Sequence, residues 1–240
     1  MRRKDKERDA AFAWQVMAEA PYATLSLVDG EGRPYAVPVS QAAWPEGECI
    51  YFHCAIGGKK YEIFENGCEA VMSAVSRTEI VLGQYTVAYA SAIARGRLEI
   101  IADPEERMHA MAVLCRQFDP AAGEKYVGCM QRMGARTCLV RLAVEEITGK
   151  ENLFFSQEAH GILDGDCLKK ASPGEARTAR RISQVALYTM QYIVSSPMTK
   201  LYSFTVTDEV LWELERHIQP YVAGNTDKKF KSLQILEVMM

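Results

Sequence analysis

The chain has 240 residues, 48% of them hydrophobic and 25% charged, with a net charge of −3; this describes a soluble globular protein with room for one large domain or two small ones. A pI near 5.9 argues against a nucleic-acid binder that works by bulk charge, while leaving a local basic patch open. The longest apolar runs fall far short of a membrane span, the first nine residues lack the apolar core of a signal peptide, and seven scattered cysteines fit reduced thiols in the cytoplasm.

Asp5–Ala20 reads as a helix with Phe12, Val16 and Met17 on one side, ended by Pro21. Thr24–Val28 alternates as a strand. Asp29-Gly30-Glu31-Gly32 is a turn signal, and Tyr35–Ser40 returns as the second strand of a hairpin. Trp44-Pro45-Glu46-Gly47 turns the chain again before a third strand, Cys49–Cys54. Lys60–Asn66 forms a short helix that Gly67 stops.

Ala70–Val75 and Tyr85–Ile93 are strand-like, and Arg97–Ile101 continues the sheet after a break at Gly96. Asp103-Pro104-Glu105-Glu106 starts a helix with an Asp cap, a proline at the first position and acids at the positive end of the dipole. That helix runs to about Phe118 with Met108, Met111 and Leu114 facing inward, and a further helix covers Glu124–Met133. Thr137–Ile147 is the last strand, with Cys138, Val140, Leu142 and Val144 on one face. The expected fold class is α+β, a six-stranded antiparallel barrel with flanking helices, because closure removes exposed edges.

After Thr148-Gly149-Lys150 the character changes. Ser183 caps a helix over Gln184–Ser195, Thr207-Asp208-Glu209 opens a second that ends near Gly224, and Lys228–Val238 reads as a third, with Phe230, Leu233 and Leu236 apolar. Residues 1–150 are therefore expected as one domain, and residues 151–240 as a second, mostly helical one.

The stretch with the most chemistry is Ile50–Lys60, a strand that breaks at Gly57-Gly58 into Lys59 and Lys60. Glycines let a main chain approach an anion closely, and the lysines add charge where N–H groups turn outward. A hairpin end with solvated lysines is the competing reading. His53, at the strand end, fits a proton donor or a packed residue, and Cys54 fits a small packed residue better than a nucleophile. Arg95 and Arg97 read as a solvated hairpin, and Arg177, Arg180 and Arg181 as a solvated helix face. His109, His160 and His217 share no ligand spacing, so no metal is expected.

Ala-Val-Pro-Val-Ser at 36–40, Ile-Tyr-Phe-His-Cys-Ala at 50–55, Gly58-Lys59-Lys60, Tyr89-Ala90-Ser91-Ala92-Ile93 and Glu146-Ile147-Thr148-Gly149-Lys150, with Met-Arg-Arg-Lys-Asp at 1–5, stand together in order. On these motifs residues 1–150 resemble the pyridoxamine 5′-phosphate oxidase-like split barrels, and among them the 5-nitroimidazole resistance branch. The resemblance implies a homodimer with FMN at its interface, acting as a flavin-dependent reductase on a small-molecule electron acceptor. It implies that Pro38, Val39 and Ser40 line the isoalloxazine edge, that Lys59 and Lys60 meet the phosphate, and that His53 sits near the flavin as the catalytic residue. Cys54, Ala55, Gly58, Tyr89 and Ser91 fall at the remaining cofactor-contacting positions. Gln41, where the family often has an aromatic, and Ala92 depart from the pattern.

Phe154-Phe155-Ser156, Gly161-Ile162-Leu163, Tyr192–Pro197, Lys200–Phe204 and Lys229–Leu233 resemble the C-terminal part of the recombination mediator RecO. That resemblance implies a DNA-repair accessory as the alternative function, with weak nucleic-acid binding through the tail. The RecO pattern's second Cys-x-x-Cys reads Asp164-Gly165-Asp166-Cys167 here, a poor structural zinc site.

Overall fold

The computed structural model describes residues 7–81, 84–123, 127–128, 131–132, 136–200 and 203–226. The chain forms two compact units, residues 1–79 with 87–151, and residues 80–86 with 152–240.

The first unit is built on one antiparallel sheet of eight strands. Its elements are β1 (Glu7–Arg8), α1 (Ala10–Glu19), β2 (Ala23–Val28), β3 (Pro34–Val39), β4 (Gln41–Trp44), β5 (Cys49–Ala55), α2 (Lys59–Phe64), β6 (Cys68–Val81), β7 (Thr86–Ile100), α3 (Pro104–Phe118) and β8 (Thr137–Glu151). The strand order is β3-β2-β6-β7-β8-β5-β4, with β1 added on β8. The two ends of that path, β3 and β4, are separated in sequence by Ser40 alone. A single residue spans about 3.3 Å, so the sheet has to curl until its ends meet. It is a split barrel of the expected class, with eight strands rather than six, because β4 and the short β1 also join the sheet.

Two apolar layers hold it. Inside the barrel, Leu25, Ile50, Phe52, Met72, Leu98, Val140 and Leu142 pack with Phe12, Val16 and Met17 of α1. The opposite face of β4, β5 and β8 presents Ala42, Cys49, Tyr51 and Leu139 to Ala110 and Leu114 of α3. Strand β8 is therefore buried on both faces over Cys138–Val140, where its sequence is continuously apolar. Both main helices start on side-chain caps: the Phe12 amide donates to Asp9 Oδ1 at 2.8 Å, and the Glu106 amide to Asp103 Oδ2 at 2.8 Å. The Asp9 cap makes Ala10 the first residue of α1, later than the expected start at Asp5; Asp5 itself lies outside the described residues.

At Gly96 the expected break is instead a bulge within one continuous strand, with the register shifting between Arg95 and Gly96. A Cβ at Gly96 would run into the Ala143 carbonyl, so no other residue fits this crossing. The expected helix over 124–133 lies largely outside the described residues.

The second unit is mostly helical, as expected, and carries a small sheet as well. Strands β9 (Leu153–Ser156), β10 (Gly161–Leu163) and β11 (Arg180–Ile182) form a small sheet in the order β10-β9-β11. Helices α4 (Gly165–Lys170), α5 (Pro173–Thr178), α6 (Gln184–Ser195) and α7 (Asp208–Asn225) complete it. Its core joins Leu153, Ile182, Ala186 and Leu214. Asp164 caps α4 by accepting from the Cys167 amide at 2.8 Å, so the Asp164–Cys167 stretch is a helix start. The expected helix over 228–238 lies outside the described residues.

Candidate functional site

Strand β5 delivers the site's central loop. Its ladder with β8 runs from Cys49–Ala143 to Ala55–Thr137, so alternate residues are fixed: Phe52 and Cys54 face the barrel core, while His53 and Ala55 face outward and are exposed. Beyond Ala55 the chain turns through Gly57 and Gly58, both at positive φ (105° and 84°). A Cβ at either glycine would meet nothing within 4 Å, so the main chain here borders open space. Lys59 and Lys60 open α2 directly after the turn, where the first N–H groups of a helix lack an intrahelical acceptor.

The cradle has a second wall. The ladder that pairs Gln41 with Phe52 starts one residue after Ser40, at the corner between β3 and β4. Pro38 and Ser40 are exposed, whereas Val39 belongs to the barrel core. Lys59 ties the loop to the β2–β3 hairpin, with its ammonium 5.1 Å from the Tyr35 ring centroid and 4.0 Å from Asp29 Oδ2. Asp29 is held below the usual carboxylate range, first by the Arg33 amide. Lys59, Tyr35 and Asp29 thus form one patch at the loop, and His53 and Ala55 are exposed on the strand that leads into it.

Val39 and Cys54 are not part of this patch, because their side chains lie in the core. Tyr89 and Ser91 are not part of it. They share one face of β7, opposite the buried Ala88, Ala90 and Ala92, but Ser91 pairs with Lys150 at the far end of β8, while His53 pairs with Leu139. The eleven positions from Leu139 to Lys150 amount to about 36 Å of strand. Within one chain these two groups do not meet.

The glycines, the outward N–H groups and the two ammonium ions match the chemistry of a phosphate. Tyr35 and Asp29, the neighbours of Lys59, carry no sequence signal that would single them out. Gln41 has no place in the patch: it is fully buried, and its Nε2 donates to the Met17 carbonyl at 2.6 Å and the Ala20 carbonyl at 3.5 Å. Arg97 lies 4.0 Å from Glu69 and is half exposed. Elsewhere in the first unit Gly67, Arg97, Glu99, Glu106 and Arg141 line a cavity of about 460 Å³. In the second unit Phe155, Ile162, Met190, Val194 and Tyr221 line a more apolar one of about 740 Å³. Among the described residues no three His, Cys, Asp or Glu side chains are grouped to hold a metal, and no helix is long and apolar enough to cross a membrane.

Several known proteins are similar to this chain. The FAD and heme binding protein from Mycobacterium smegmatis is 19% identical, with a TM-score of 0.53 over 74% of this chain and 83% of that one. The flavocytochrome Anf3 from Azotobacter vinelandii is 17% identical, with a TM-score of 0.53 over 89% of this chain and 94% of that one. A candidate 5-nitroimidazole antibiotic resistance protein from Bacteroides thetaiotaomicron is 22% identical over 60% of this chain and 84% of its own, with a TM-score of 0.49. The first two share the fold, and the cover of Anf3 is too wide to be filled by the barrel unit alone. The DNA repair protein RecO from Acetivibrio thermocellus is 30% identical over 89 residues, which are 37% of this chain; the chain spans about a third (34%) of that protein's length. The family profile described as pyridoxamine 5′-phosphate oxidase matches residues 9–151, the whole of the barrel from α1 to the end of β8, and the chain belongs to that family.

Proposed function

We propose that the chain is a flavoprotein that binds FMN at the Gly57–Lys60 loop and acts as a flavin-dependent reductase of the nitroimidazole-resistance type. The observation that carries this reading is the loop itself. Two glycines at positive φ with open space before them deliver Lys59 and Lys60 at the end of the strand that carries exposed His53, in a chain of the pyridoxamine 5′-phosphate oxidase family. Bound flavin supplies the electron chemistry. The chain's own residues place it: Lys59 and Lys60 neutralise the phosphate, the glycine N–H groups approach it, and Pro38 and Ser40 border the ring. His53, outward on β5, stands where a proton can be passed to a reduced acceptor.

The separation of Tyr89 and Ser91 from the loop supports a homodimer. In a two-fold assembly the β7 face of one subunit covers the loop of the other, so both groups reach one flavin. We propose FMN over FAD because the single pair of adjacent cations at Lys59 and Lys60 suits one phosphate.

The test is a flavin titration followed by fluorescence. The parent chain is expected to bind FMN. Lys59→Ala with Lys60→Ala should weaken binding by one to three orders of magnitude, since each charge-assisted contact contributes roughly 1.5–3 kcal/mol and the two are partly redundant. Equal affinity in both proteins removes the loop from the site.

The RecO likeness favours a second reading, a DNA-repair accessory acting through the tail, residues 151–240. A salt-dependent titration with labelled single-stranded DNA discriminates: tight, steeply salt-sensitive binding by a colourless protein would put this reading first.

A further inference from the structure

The core face of β5 and β8 carries a pair of thiols that flavin binding leaves unused. Cys54 stands directly opposite Cys138 across the ladder. Directly opposed residues of antiparallel strands project from the same face, with Cα atoms about 4.5–5.5 Å apart and Cβ atoms about 4.5–5.5 Å apart. A disulfide spans Cα separations of about 4.4–6.8 Å and Cβ separations of about 3.5–4.5 Å. Closure therefore requires side-chain rotation and a small approach of the strands, with no change of register. Among the described residues no other two cysteines face each other across a ladder.

The environment divides the two sulfurs into roles. The Cys138 thiol donates to Cys54, and with the charge of Lys60 it lowers the Cys54 thiol to about 7 against the opposing effect of burial. Cys138 is raised by the same hydrogen bond and by burial, so it keeps its proton. Cys54 is 8% exposed and Cys138 3%. Such access suits a small oxidant rather than a protein thiol.

We propose that Cys54 and Cys138 are a redox-active dithiol that hydrogen peroxide closes to a cross-strand disulfide. The Cys54 thiolate attacks one peroxide oxygen, the O–O bond breaks, and the departing hydroxide takes a proton and leaves as water. Cys54 is then a sulfenic acid. The Cys138 sulfur attacks the Cys54 sulfur, the S–O bond breaks, and the hydroxide leaves as a second water with the proton Cys138 gives up. Two thiols are oxidised and one peroxide is reduced to two waters. The link ties the exit of β5 to β8 just ahead of Gly57.

The test uses the full chain, pre-reduced, exposed to graded hydrogen peroxide, then alkylated, digested and mapped by mass spectrometry. The expected product is a peptide pair joined through Cys54 and Cys138 that dithiothreitol separates. In Cys138→Ala, Cys54 should instead accumulate a sulfenic acid that dimedone traps; in Cys54→Ala, Cys138 should remain fully alkylatable. A wild-type chain in which Cys54 goes to sulfinic acid without linking, links to a different cysteine, or stays alkylatable at peroxide levels that oxidise the exposed Cys167 overturns the proposal. The wild-type mapping decides the matter even if a variant fails to fold.

Discussion

Gln41 shows how one side chain serves the barrel away from its site. The C-terminal turn of α1 leaves carbonyls without intrahelical donors, and the buried Gln41 amide supplies them, reaching Met17 and Ala20 from the start of β4. Its own Oε1 has no partner among the described residues, so the net gain is smaller than the bonds alone suggest. Gln41→Leu is expected to destabilise the barrel by about 1–2 kcal/mol through the stranded carbonyls, seen as a lowered Tm with FMN affinity unchanged. A matching loss of FMN affinity at temperatures where the variant is folded would place Gln41 at the flavin after all. In the sequence this glutamine stood out because a family aromatic is absent there. Nothing local reveals that its partners lie on a helix more than twenty residues upstream.

At the scale of elements, the parts that announce themselves locally were legible. Asp103-Pro104 and Ser183 begin α3 and α6 where a cap and a helical stripe coincide, and both run over the expected residues. Strand β4 and the small β9-β11 sheet were not, because strands of three or four residues are too short to show a period. The loop of the candidate site was legible for the same reason as the caps, since its glycines and lysines are contiguous. Its second wall and the Cys54–Cys138 pairing depend on register across the barrel, which no local pattern encodes. Helix α7 gives the testable case. His217 is 1% exposed, with Nε2 hydrogen-bonded to the Arg181 carbonyl of β11 at 3.1 Å. Burial first, then the charge of Arg216, depress its proton affinity below the ordinary value of 6.5, with Arg180 adding to this and Glu213 opposing it. Well above pH 6.5 the imidazole is neutral both folded and unfolded, and it adds no slope. As the pH falls through that value the unfolded chain takes up the proton first, so stability drops until the native ring also titrates. His217→Gln, which keeps a donor toward Arg181, should flatten the decline in denaturation midpoint between about pH 7.5 and pH 5.5. An unchanged decline would show that other groups set it.

For the molecule as a whole, the last residue of the barrel is not expendable. Glu151 is buried and holds Arg77 at 3.3 Å and Arg8 at 3.6 Å, while Arg77 also meets Glu19 at 2.9 Å. A chain ending at Glu151 is expected to fold and bind FMN as well as the full protein does. One ending at Lys150 leaves Arg77 short of a carboxylate, and removing one partner of a buried pair costs up to roughly 3–5 kcal/mol, so it should melt several degrees lower. Equal melting of the two truncated chains would show that Glu19 alone suffices for Arg77. The one-residue join at Ser40 reaches further still, into the order of events at the ribosome. Because β3 and β4 are neighbours in sequence yet lie at opposite ends of the strand path, β5 has its hairpin partner early but must wait for β8, from Ala143 to Thr137, to finish its pairing. At a synthesis rate of about 5–20 residues per second that wait lasts on the order of 5–20 s. During it the nascent chain exposes the apolar edge of β5, Ile50 and Phe52 included, and this interval is when a chaperone has most to protect.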